Sequence, residues 1–248
     1  MLNTAIAFVS VQGWIAAIAV ALIAGIVHGY SGFGGALLMV PILSLFIEPA
    51  HAVAATIVSG FVGQLRLAYQ AARMAHWKEC GPFVLGGILV MPVGAYILMT
   101  SDTHVVRRLV GLSTLIASCI LLTGWAYRGR RTAAAAAFFG GLSCVINGAT
   151  GQGGPLAVAY FIAAPKDADA QRANIISAIF VMIIASLVLL ILTGIITPAV
   201  FIFGLALSIP HACGIWAGNR LFSLIPKQNY KRLTILLLMV AGLVALIR

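Results

Sequence analysis

His28-Gly29-Tyr30-Ser31-Gly32-Phe33-Gly34-Gly35 interrupts an apolar run near the start of the chain. Asn147-Gly148-Ala149-Thr150-Gly151-Gln152-Gly153-Gly154-Pro155 interrupts another. Gly29, Gly32, Gly34 and Gly35 fall on Gly148, Gly151, Gly153 and Gly154 at a constant offset of 119, and Ser31 falls on Thr150. Glycine inside a helix costs about 1 kcal/mol relative to alanine. Four within seven residues, twice over, mark places where a helix is meant to stop. In a bilayer such a stop exposes backbone N–H groups, which must meet protein, cavity water or a ligand.

The surroundings are those of a membrane protein. Of 248 residues, 62% are hydrophobic and 8% charged, with mean hydropathy +1.11. A soluble domain averages about 25% charged residues. The five acids, Glu48, Glu79, Asp102, Asp167 and Asp169, lie between apolar runs or at their ends. The net charge of +10 comes from short loops between runs, where it sets orientation, so nucleic acid is not an expected partner. The four cysteines have neither CxxC nor zinc spacing, and no metal or cofactor is expected. No basic stretch precedes the first run, which reads as a retained segment.

Taken in order, residues 12–28 are one bilayer length, and residues 36–47 after the glycines are too short to span. Residues 52–69, 82–100 (kinked at Pro92) and 105–126 then read as full helices. The second half repeats this with 133–147, a short 155–164, then 170–193, 199–218 around Pro210, and 233–247. Basic loops 66–80, 128–131 and 219–232 should face the cytoplasm, and the uncharged turn 194–198 the outside. The first half then starts outside and the second inside. The expected fold is an all-α polytopic membrane protein of two inverted repeats, residues 1–131 and 132–248. Each repeat holds a glycine-broken short helix or re-entrant hairpin plus three full transmembrane helices, all within a single membrane domain.

The breaks carry the chemistry. Short helices are expected to start at Ala36 and at Pro155, and proline favours a first helical position. A helix N-terminus offers free N–H donors and about half a positive charge, so it attracts anions. Two such ends meeting near the midplane would hold an anion by main-chain amides of Gly29, Gly32, Gly34, Gly35, Gly151, Gly153 and Gly154. Ser31, Asn147, Thr150 and Gln152 would add neutral hydrogen bonds; His28 and His211 would add a donor or a proton. Thr56 and Asn174, polar at matched places, read equally as substrate contacts or as glue between helices. No acid lies inside a span, which argues against a cation pump.

The two glycine motifs, with Pro41 after the first, make the chain similar to the TauE/SafE sulfite exporter family, also called the toluene sulfonate uptake permeases. The likeness covers nearly the whole chain. It implies a secondary transporter in the bacterial inner membrane for sulfite, sulfonates or related organosulfur anions, with a site role for the two glycine stretches. A passive anion channel of the same architecture is an alternative. An intramembrane serine protease using Ser31 and His211 is a weaker one, because a protease has no use for the second copy carrying Thr150; the chain is not expected to be an enzyme. The expected partners are a small anion and the lipid bilayer; protons and a homo-oligomer are open partners.

Overall fold

The computed structural model describes residues 11–162 and 168–221. The expected turn at Lys166-Asp167, most of the last basic loop and the expected span 233–247 lie outside the described residues. Among the described residues all regular structure is helical. In order these are α1 (Val11–Ser31), α2 (Gly35–Leu43), α3 (Pro49–Gly63), α4 (Leu65–Met74), α5 (Trp77–Thr100), α6 (Thr103–Thr123), α7 (Ala133–Thr150), α8 (Gly154–Phe161), α9 (Ala168–Leu192) and α10 (Pro198–Leu221). Six of them are long and apolar enough to cross a membrane, and α3 with α4 would make a seventh. Large apolar side chains point outward along these helices: Leu89 is 82% exposed and Leu192 77%, as lipid-facing residues should be.

Three expectations need correction. Both glycine stretches are helical for their first four residues, so the breaks shrink to Gly32–Gly34 and Gly151–Gly153, and the short helices begin at Gly35 and Gly154. The expected helix 52–69 is two helices, which meet at Gln64 with a bend of 65°. After the bend α4 is amphipathic: Leu67, Ala68 and Ala71 pack on Ala173, Ile176 and Ile215, while Arg66, Tyr69 and Arg73 face out. The expected helix 82–100 starts earlier, at Trp77, and takes in Pro82 as well as Pro92.

The two dominant helix pairs cross the midpoint of the sequence. α1 packs on α10, and α5 on α7. Missing side chains make both contacts possible. A Cβ on Gly29 would collide with the Ile215 carbonyl, and one on Gly218 with that of Ile26. On the other side a Cβ on Gly94 would collide with the Val145 carbonyl, and one on Gly148 would lie 2.8 Å from Met91 O. Close backbone approach through small residues is how helices associate where no hydrophobic drive separates them from lipid.

Hydrogen bonds gather the basic loops at one end of the bundle. The His76 N–H donates to Asn174 Oδ1 at 2.8 Å, joining the α4–α5 loop to the start of α9. The Tyr127 N–H and Arg131 donate to the Ala159 and Tyr160 carbonyls, closing the C-terminus of α8. Arg172 of α9 donates to Gly29 O at 2.7 Å and to Asn219 Oδ1 at 3.0 Å. The opposite end closes around Ile47, Leu98, Val106 and Val200.

Candidate functional site

The two breaks are built alike from their local sequence. Gly32 (φ 81°) and Gly151 (φ 71°) take the left-handed conformation that ends a helix and that glycine adopts without strain. The Gly32 N–H donates to His28 O, and the Gly151 N–H to Asn147 O, both at 2.7 Å. The Ser31 hydroxyl donates to Val27 O at 2.7 Å, and that of Thr150 to Ile146 O at 2.8 Å. Both hydroxyls are therefore engaged with the backbone of their own helices. The breaks lie against each other: a Cβ on Gly154 would sit 3.7 Å from Phe33 Cβ, and one on Gly151 3.5 Å from Val40 Cγ2.

Between them lies a cavity of about 50 Å³, well above the 10–15 Å³ or so that one water needs. Its wall brings together His28, Gly34, Gly35, Thr56, Asn147, Gly151, Gln152, Gly154 and His211 from the sequence-derived set, with Phe33, Ile179 and Ile183 as apolar cover. Among the described residues no acid or metal-binding cluster contributes to it. Four wall side chains are more than nine-tenths buried: His28 (5% exposed), Thr56 (4%), Gln152 (3%) and His211 (1%). Each holds a polar atom with no protein partner: Nε2 of either histidine, Thr56 Oγ1 and Gln152 Nε2. A buried polar atom left unpaired costs about 1–3 kcal/mol, so each of these four gains from a polar partner, water included.

Their orientation is set from behind. The Gln152 Oε1 accepts from Ser113 Oγ (2.7 Å) and Thr114 Oγ1 (2.9 Å) of α6, which leaves the NH₂ group without a protein partner. His211 Nδ1 lies 3.1 Å from Ser59 Oγ, which fixes the ring's orientation; Nε2 has no protein partner. His28 meets His211 edge-on, ring centroids 5.8 Å apart. Gln64, fully buried at the α3–α4 bend, lies beside His28 without a well-formed hydrogen bond. Asn147 is a brace: its Nδ2 donates to Ser186 Oγ at 2.8 Å and its Oδ1 accepts from the Gly153 N–H at 3.3 Å. The first turns of α2 and α8 complete the wall through Gly35, Ala36 and Gly154.

The other sequence-derived residues lie elsewhere. Gly29 is a packing contact for α10, and Gly32 a turn that rests on Ile176 and Arg172. Gly153 is wedged against Ser143 O, and Ser31 and Thr150 bond their own backbones. Asn174 is outside the cavity and holds the start of α5. Ser31 and His211 do not pair, since the histidine turns to Ser59. Sequence reasoning missed Ser59, Ser113, Thr114 and Arg172, whose partners are distant in sequence. Their one signal was a hydroxyl or charge on an otherwise apolar segment.

The chain is a polytopic helical bundle whose two broken helices close on an internal cavity. The family model described as Sulfite exporter TauE/SafE matches residues 17–245, and the chain belongs to that family, whose members are membrane transporters of sulfur anions. Neither a curated protein nor a solved structure matches the chain.

Proposed function

We propose that the cavity between the two breaks is the substrate site and that it binds a small sulfur oxyanion, such as sulfite or a short sulfonate, as an anion. One observation carries the reading: four buried side chains that each hold an unpaired polar atom line one cavity beside two helix N-termini, with no acid in its wall among the described residues. The Gln152 NH₂ group, the Thr56 hydroxyl and the first N–H groups of α2 offer donors to oxygen atoms, and His211 adds one when its Nε2 is protonated. The helix dipoles favour negative charge. A site of neutral donors holds an anion without the stranded charge that a buried lysine would leave behind once the anion departs.

We infer also that residues 1–131 and 132–248 are inverted repeats. The matched breaks and the exchange of α1–α10 and α5–α7 contacts between the halves support this. The basic end is then cytoplasmic, with the bacterial inner membrane as the location. The α1–α2 hairpin then enters from outside and the α7–α8 hairpin from the cytoplasm, with the two breaks facing each other inside the bundle.

Two measurements test the site. Purified protein is expected to gain about 2.7 kcal/mol of stability at a hundredfold excess of sulfite or methanesulfonate over Kd, read as a rise in Tm. Choline and dimethyl sulfone should leave Tm unchanged; equal shifts with these would contradict an anion site. Gln152→Leu removes one donor, and the Ser113 and Thr114 hydroxyls keep Val110 O as acceptor at 3.0 and 2.8 Å, so the fold is retained. A hydrogen bond to a charged group contributes about 1.5–3 kcal/mol, so Kd should rise roughly 10- to 150-fold. An unchanged Kd would remove Gln152 from the site.

A further inference from the structure

We propose that His28 and His211 carry one proton between them for each bound anion, which makes transport of a monoanion proton-coupled and electroneutral. The inference rests on the cavity being the anion site. The two rings come from α1 and α10, helices locked together by glycine contacts, so their spacing is a fixed property of the fold. A side chain starting at Gly35 would begin 2.9 Å from His28 Nδ1 and 3.1 Å from His211 Nε2. Both nitrogens therefore front the first turn of α2, where an anion would find its backbone donors.

The charges around the pair decide what it can hold. His28 faces His211 from α10, the neutral Gln64 at the α3–α4 bend, and the field of Arg172 from α9. His211 faces His28 and, from α3, Ser59. No carboxylate lines the cavity among the described residues, so an imidazolium here lacks a protein counter-charge. An anion in the cavity supplies one. Two imidazoliums this close would repel each other, and Arg172 carries the same sign, so the pair has room for no more than one proton, taken up when the anion is there to balance it. Proton and anion then load together and leave together. The imidazole lone pair takes H⁺ from water on one face and returns it to water on the other, with no change of oxidation state. Their combined load for a monoanion is neutral, which lowers the cost of carrying it through a medium of low dielectric constant.

Methanesulfonate discriminates, because its parent acid is too strong to bring a proton of its own. The full chain is reconstituted in liposomes with a trapped pH dye, and the membrane potential is clamped with potassium and valinomycin. One proton should enter per methanesulfonate, and the rate should respond to the pH gradient and not to the potential. In His211→Gln and in His28→Gln the ratio should fall from one towards zero, and the slower flux that remains should follow the potential. Uptake by the unaltered protein that moves no protons and follows the potential overturns the coupling and leaves the anion site standing. A ratio of one kept in both variants also overturns it. No uptake and no thermal stabilisation with either methanesulfonate or sulfite overturns the anion site itself.

Discussion

Gly35→Ala is expected to lower anion uptake at least tenfold while Tm holds or rises. Gly35 is the first residue of α2 and its φ is not in the left-handed region, so alanine suits the backbone. Alanine in a helix is favoured over glycine by about 1 kcal/mol. Its one added carbon would stand 2.9 Å from His28 Nδ1 and 3.1 Å from His211 Nε2, and so would press on two rings that line the cavity. The rings can yield by a few tenths of an ångström, which relieves the clash but takes volume from a cavity of only about 50 Å³. Gly35→Leu should abolish uptake. The variant separates function from folding better than its neighbours do. A leucine at Gly34 must hold φ 94°, and one at Gly153 collides with the Ser143 carbonyl, so either confounds a lost site with a damaged break. Normal uptake by Gly35→Ala, measured beside Tm in the same preparation, would show that the cavity lined by the two imidazoles is not the anion site.

Gly148→Val is expected to act in the opposite sense: little folded protein, and no specific effect on binding in what survives. A Cβ at 148 would lie 2.8 Å from Met91 O and 2.9 Å from Ala95 N, both main-chain atoms of α5 that cannot rotate away. Forcing extra atoms into a packed contact costs about 1–3 kcal/mol, and more where backbone must move. Monodisperse yield and Tm are the readouts. A valine variant as stable as the parent would mean that α5 and α7 are not held at this distance in the membrane. The pair of predictions divides one motif by position: its first glycine packs, its middle glycine turns the chain, and its last opens the cavity.

That division explains what could be read in the sequence. Glycine clustering announced the breaks because too many poor helix formers in a row leave few alternatives in lipid. Span lengths followed from apolar runs. The bend at Gln64 had no such signal, since no proline stands there and Gly60 and Gly63 read like the many glycines that merely pack. Asn174 was matched to Thr56 at an offset of 118, whereas the breaks repeat at 119. A slip of one residue turns a helix by about 100°, enough to carry a side chain off the cavity face. Ser59, Ser113 and Thr114 act through His211 and Gln152, and a pairing that skips 38 or more positions leaves no local periodicity to detect.

The pairing of α1 with α10 has a consequence for how the protein is made. The face of α1 that bears Gly29 finds Ile215 only after roughly 190 further residues have been synthesised, on the order of 10–40 s at ordinary ribosome speeds. Until then a helix with a pared-down surface, ending in an unclosed break, waits in the bilayer without its neighbour. Insertion of the first segments and completion of the native bundle are thus separated in time.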